Sequence, residues 1–250
     1  MKEYINKKLV ENFKGRNHFK RNELYDFYRK FEPNLNEGTF GWRIYDLKQK
    51  NIIKSIGQSM YAISYKPKYI PQISNNLVKL DKLIREKYVN AKYSIWETAW
   101  LNEFTIHQAT RSFIILEIEK FVVDSAYYYL KDKKYKNVFL NPKEDIIKQY
   151  ISEENETILV KTLLRRAPVQ KVRKARVPLL EKIMVDIFYE KNIFFFYQGE
   201  EMFNVFDKAI RKYSINFTKL FAYAKRRGQE KKIKEYINMN FQDIVRELTE

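Results

Sequence analysis

The segment from Asn36 to Ser64 limits the possible folds more than any other part of this chain. In Asn36-Glu37-Gly38-Thr39-Phe40-Gly41-Trp42-Arg43-Ile44-Tyr45-Asp46-Leu47-Lys48-Gln49, the apolar residues Phe40, Ile44 and Leu47 recur at helical spacing behind an Asn36 N-cap. The helix runs directly into Ile52 to Ser55 and Met60 to Ser64, strand-like stretches that pair across the four-residue loop Ile56-Gly57-Gln58-Ser59. Upstream, Lys2 to Phe13 and Arg21 to Phe31 carry apolar stripes that end at Gly15 and Pro33, with His18-Phe19-Lys20 extended between them. Helix, helix, helix and hairpin within residues 1–66 predict a winged helix-turn-helix.

The remainder reads differently. Lys66-Pro67-Lys68-Tyr69-Ile70-Pro71 has the paired prolines of a semi-rigid spacer, so residues 67–73 are expected to link two domains. From 74 to 250 the pattern alternates. Helices are expected over Ser74–Glu86, Glu97–Phe104, Val122–Lys131 and Val177–Tyr189, and strands over Tyr93–Ile95, Phe113–Ile118, Asn137–Leu140 and Thr157–Lys161. Ile193 to Tyr197 fits either a strand or the start of a buried helix, and three helices follow (Glu201–Tyr213, Asn216–Arg227 and Gln229–Leu248). The expected fold class is α+β: an N-terminal winged helix-turn-helix, then a mixed α/β domain with a helical C-terminal tail.

Composition narrows the partners. The 250 residues carry a formal net charge of +17, with 45% hydrophobic and 16% aromatic residues, enough for a sizeable core. Residues 1–66 hold 14 Lys/Arg against 7 Asp/Glu, and residues 161–190 hold 8 against 3, on either side of a nearly neutral middle. Two basic concentrations of this kind suit a polyanion such as DNA or RNA. With no cysteine and only His18 and His107, a structural zinc site is not expected, and no metal or cofactor is called for. No apolar run is long enough to span a bilayer and the first residues lack a signal-peptide core, which points to the cytoplasm and away from membranes.

Turning Phe40, Ile44 and Leu47 inward exposes Thr39, Trp42, Arg43, Tyr45, Lys48 and Gln49. Arg43 and Thr39, one turn apart, are expected to read bases. Lys20, Arg21, Tyr45, Lys48 and Gln49, with Lys54 and Ser59 of the wing, are expected to hold phosphates. The alternative is a protein-binding or structural winged helix, with Trp42 in a core or an interface. A second basic patch, Lys161, Arg165, Arg166, Lys171, Arg173, Lys174 and Arg176, runs through a loop or broken strand around Pro168 without one acid. It suits nucleic acid or an acidic partner, or else it is a solvated charged loop.

Glu117-Ile118-Glu119-Lys120 closes an apolar strand in the manner of metal-dependent nucleases, where two acids and a lysine hold magnesium and activate water. The same acids also read as plain surface charges. Six glycines give no phosphate-cradling loop, so a non-catalytic role is expected. Lys225-Arg226-Arg227 before Gly228 suits a helix C-terminus.

Three segments resemble the antitoxin component of abortive-infection AbiE-type toxin–antitoxin systems. They are Asp46-Leu47-Lys48-Gln49-Lys50-Asn51-Ile52-Ile53 leading to Tyr61; Val177-Pro178-Leu179-Leu180-Glu181-Lys182-Ile183-Met184-Val185-Asp186-Ile187; and Ile215-Asn216-Phe217-Thr218-Lys219-Leu220-Phe221-Ala222-Tyr223-Ala224-Lys225-Arg226-Arg227-Gly228. The resemblance implies a bacterial transcriptional autorepressor that binds double-stranded DNA at its own operator. Its second domain would counter a nucleotidyltransferase-like toxin, or engage that toxin's RNA substrate. The rival expectations are a nuclease using Glu117, Glu119 and Lys120, or a protein-interaction module.

Overall fold

The computed structural model describes residues 2–16, 18–64, 66–109, 112–142 and 157–241. The chain divides into two compact units, Met1–Pro67 and Lys68–Glu250.

In the first unit, helix α1 (Lys2–Phe13) is followed by strand β1 (Phe19–Lys20), helices α2 (Arg21–Arg29) and α3 (Glu37–Gln49), and strands β2 (Ile53–Gly57) and β3 (Met60–Ile63). The strands form an antiparallel sheet in the order β1-β3-β2, with Phe19 opposite Tyr61 and Ile53 opposite Ile63. Asn36 caps α3 by accepting the Thr39 amide at 2.8 Å, and Phe40, Ile44 and Leu47 turn inward. They join Leu9, Phe13, Phe19 and Leu24 in the core, where the Phe13 and Phe19 rings stack 4.1 Å apart. The hairpin is tighter than the expected four-residue loop. Pairing continues to Gly57 opposite Met60, with a register shift between Ser55 and Gly57, so only Gln58 and Ser59 turn the chain. Ser59 takes a left-handed φ of 55° to do so.

The second unit is mixed α/β. Helix α4 (Asn75–Lys87), capped by Ser74, leads to β4 (Tyr93–Glu97) and a 3₁₀ turn (Thr98–Glu103). Strand β5 (Ile114–Ile118), a second 3₁₀ turn (Lys120–Val122), helix α5 (Val123–Asp132) and strands β6 (Asn137–Leu140) and β7 (Thr157–Thr162) follow. The sheet order is β4-β5-β7-β6, with β5, β7 and β6 parallel and β4 antiparallel at one edge. All five residues of β5 are buried, as expected of a strand covered on both faces.

Strands β8 (Val169–Val172) and β9 (Ala175–Pro178) make a separate hairpin. Helix α6 (Leu180–Tyr189) comes next, then a 3₁₀ turn (Phe195–Tyr197), α7 (Glu200–Lys212), α8 (Phe217–Arg226) and α9 (Glu230–Asn240).

Several expectations are corrected here. Tyr69 is buried among Phe104 and Tyr213, so the chain from Lys68 onward belongs to the second unit's body and is not a free spacer. Val177 to Tyr189 is a strand followed by a helix, because Pro178 disfavours helix at Val177 and lacks a backbone donor. The stretch around Pro168 becomes an ordered hairpin, and Phe195 to Tyr197 a 3₁₀ turn. Of the last expected helix, residues 242–248 lie outside the described residues.

Candidate nucleic-acid interface

The outward face of α3 is unusual for a surface helix. Trp42 is 74% and Tyr45 55% exposed, their rings edge-to-face at 5.9 Å. Thr39, Lys48 and Gln49 are exposed too, and the Lys48 ammonium lies 5.3 Å from the Tyr61 ring centre. Gly38 and Gly41 belong to the same solvent-facing surface. A Cβ at Gly41 would meet nothing within 4 Å, so no internal packing requires a residue that weakens a helix interior by about 0.5–1 kcal/mol relative to alanine.

The two arginines expected to meet DNA are occupied within the unit. Arg43 grips both carboxylate oxygens of Glu32, at 2.9 and 3.1 Å, in a half-buried setting. Arg43, expected to read bases, is thus held by an acid of its own unit in the free protein. Arg21 pairs with Glu37 at 2.6 Å and stacks on Phe40 at 4.9 Å. Its backbone amide donates to the Ser59 carbonyl at 2.9 Å, tying the start of α2 to the hairpin turn. Between them lies a groove lined in part by Lys20, Asn22, Tyr25, Gln58 and Ser59. Lys20 also starts α2, its amide donating to Glu23 at 2.8 Å. Lys54 lies on β2 of the hairpin.

The second basic patch divides in two. Arg165, Arg166, Lys171, Arg173 and Lys174 are exposed on or beside the β8–β9 hairpin. Arg166 and Arg173 adopt left-handed φ values of 58° and 55°. Arg176 is engaged, donating to the Ala91 carbonyl at 2.9 Å and lying 5.2 Å from the Tyr93 ring centre. Lys161 does not belong to the patch. It is largely buried and ion-paired with Glu190, because β7 places it beside Glu117 of β5 under α6. Burial pushes its ammonium down to about 8, against the attraction of Glu117 and Asp186.

Lys161 opens onto a polar centre that sequence reasoning missed. The fully buried Lys182 ammonium donates to both Glu117 and Asp186. Arg227 reaches Asp186 at 3.0 Å, Glu190 at 3.1 Å and Glu117 at 3.6 Å, and Tyr223 donates to Asp186 at 2.9 Å. Three carboxylates thus face three cations. Burial alone would lower the Lys182 pKa, but Asp186 and Glu117 outweigh it and hold the ammonium well above its usual value. Burial likewise works against the Asp186 carboxylate, yet Lys182 and Arg227 keep it below the usual range. A sequence signal did exist: Lys182, Asp186 and Glu190, the last at the C-cap, recur every four residues along a helix that is apolar apart from these and Glu181, so one face must carry charge inward.

This centre also corrects three readings. Glu117 is not a surface charge. It is committed to internal cations, whereas Glu119 and Lys120 lie past the end of β5, so the nuclease-like trio is not assembled. Arg227 serves the centre, beyond any pairing with its own helix end. Among the described residues, no group of three or more His, Cys, Asp or Glu side chains is placed to hold a metal ion. His107 donates from its backbone to Glu201 at 2.9 Å, and its ring Nδ1 lies 2.8 Å from the same carboxylate.

The fold and sites define a two-unit, mixed α/β chain with an exposed aromatic and polar helix face in the first unit, an exposed basic hairpin in the second and a neutralised buried charge centre. The chain belongs to the family of unknown function DUF6577, whose match covers residues 39–243, from within α3 to beyond α9. No curated protein matches the chain. Among the described residues, no helix is long and apolar enough to cross a membrane.

Proposed function

We propose that this protein is a cytoplasmic, DNA-binding transcriptional regulator whose N-terminal unit acts as a winged helix. It lays α3 in the major groove of double-stranded DNA, with the β2–β3 hairpin against the backbone. One observation carries the reading: the outward face of α3 combines Gly38 and Gly41, which no internal contact requires, with exposed Trp42, Tyr45, Lys48 and Gln49. Glycines on such a face let a helix backbone approach a ligand closely, and the polar and aromatic groups supply contacts to base edges and phosphates. The net charge of +17 supports a polyanionic partner.

In this reading Trp42 and Thr39 face the bases, and Lys20, Tyr45, Lys48, Gln49 and the hairpin residues Lys54 and Ser59 face phosphates. The exposed arginines and lysines of the β8–β9 hairpin give the second unit a charged surface of its own. The resemblance to AbiE-type antitoxins adds an autorepressor role, with the second unit countering a nucleotidyltransferase-like toxin.

The test is binding to labelled duplex from upstream of the protein's own gene. Affinity should fall steeply with salt. Gly41→Ala should weaken binding while raising stability by about 0.5–1 kcal/mol, since alanine favours the helix but holds the backbone away from DNA. Equal duplex affinity of Gly41→Ala and the parent would remove the groove assignment. The antitoxin role requires that co-expression relieve growth arrest caused by the neighbouring toxin.

A further inference from the structure

We propose that the outward face of α5, with the lysine-rich turn after it, binds a single strand of nucleic acid. Two aromatic rings stand in solvent there. Phe121 is 97% exposed on the 3₁₀ turn leading into α5, and Tyr128 is 64% exposed on the helix itself. Val123, Ala126 and Leu130 occupy the inner side of α5, which leaves Tyr128 on the outer one. Phe121 stands on the turn just before the helix and Tyr128 on its second turn. Tyr128 meets the Tyr127 ring edge-to-face at 5.1 Å, but most of it, and nearly all of Phe121, stays in water, a cost that core packing does not explain.

The chemistry beside the rings selects the occupant. Lys131, Lys133, Lys134 and Lys136 are all exposed, and none has an ion-pair partner among the described residues. Lysines on other helices do: Lys82 faces Glu86, and Lys234 holds Glu230 at 2.7 Å. The turn is ordered by its own contacts. The Lys131 ammonium donates to the Lys136 carbonyl at 3.3 Å, and Lys134 takes a left-handed φ of 65°.

Lys131 and Lys133 lie over the Tyr127 and Tyr129 rings, and exposed Asp124 and Asp132 offset part of the charge, but four ammonium groups against two carboxylates leave a local excess of cations. Exposed rings beside such an excess match a strand with unstacked bases and a phosphate backbone, since bases stack on the rings and phosphates meet the ammonium groups. An apolar protein surface would have to desolvate four ammonium groups that hold no ion pair among the described residues. A duplex keeps its bases stacked on one another and out of reach of Phe121 and Tyr128. The surface is built from the second unit alone and does not depend on duplex reading by α3.

The experiment uses the full chain and a fluorescein-labelled oligothymidylate of about 20 nucleotides, long enough for one such site, followed by anisotropy. Binding is expected. Phe121→Ala and Tyr128→Ala should each weaken it roughly 10-fold, the scale of one lost base stack, without moving the thermal midpoint. Replacing Lys133, Lys134 and Lys136 together by alanine should flatten the dependence of log affinity on log salt by about 0.7 per lysine. Trp42→Ala should leave this affinity unchanged, whatever it does to duplex binding, so the two readings fail separately. The proposal is overturned if the parent chain does not bind the oligonucleotide, or if Phe121→Ala and Tyr128→Ala bind as the parent does. It is overturned equally if Phe121→Ala abolishes self-association of a chain that binds no oligonucleotide.

Discussion

Helices α3 and α6 both place charged residues among apolar ones, yet they send those charges in opposite directions. On α3 the inner stripe is purely apolar, so Lys48, Gln49, Tyr45 and Trp42 stay in solvent. On α6, Leu180 to Ile187 are all buried, and Lys182 and Asp186 go inward with them. The difference lies in available partners. Lys182 finds Glu117 on a neighbouring strand and Asp186 one turn along, whereas no carboxylate pairs with Lys48 among the described residues. A charge count therefore does not measure what is free to bind. Lys161 and Arg173, close in one basic run, are respectively neutralised within the protein and exposed at a hairpin turn.

The sharpest way to break this contrast is Lys182→Ala. It leaves Glu117 and Asp186 buried without their main counter-charge and should cost about 3–5 kcal/mol, read from urea unfolding. A loss below about 1 kcal/mol would mean that the carboxylates are not held as described. The α3 side is tested by a pair of substitutions. Trp42→Ala should weaken duplex binding by about 1–3 kcal/mol, the scale of one good base contact, with stability within about 0.5 kcal/mol of the parent. Arg43→Ala should do the reverse. Losing the half-buried grip on Glu32 should lower stability by about 1–2 kcal/mol and affect duplex affinity little. An Arg43→Ala protein that is stable but does not bind duplex would restore Arg43 as a base reader.

Arg173→Gly probes the exposed hairpin. The φ of 55° suits glycine, so stability should rise by about 1 kcal/mol in thermal melts while nucleic-acid affinity falls with the lost cation. A further contrast concerns Glu201, which is neither fully buried nor free in solvent. Burial would raise its pKa, but the His107 amide, the His107 ring and the Ile106 amide hold it down at about 2, against an ordinary 4.5. Its stabilising contribution is therefore complete above pH about 4.5 and is lost as pH falls from there toward 2. Glu201→Gln should flatten that part of the acid-unfolding curve, and an unchanged curve would show that these contacts do not favour the carboxylate.

Much of the local structure was legible from local chemistry. Asn36 as a cap, the Phe40/Ile44/Leu47 stripe, the β5 apolar run and the tail helices all follow from periodicity and capping within one element. Even Pro178, which ends β9 before α6, acts through its own backbone, so that boundary is local in origin. The exposed face of α3 was legible for the same reason, since turning the stripe inward determines which side chains remain.

Sequence alone determined most of the helical and extended segments, the basic balance, and the inward and outward faces of α3, because each depends on neighbours within a few residues. Only the tertiary structure decided which charges are spent. Arg43 meets Glu32 across 11 positions, Lys182 meets Glu117 across 65, and Lys161 meets Glu190 across 29. An ion pair needs its two charges within a few ångströms. No spacing rule reports that distance until the sheet has set β5 beside β7 and folded α6 over them.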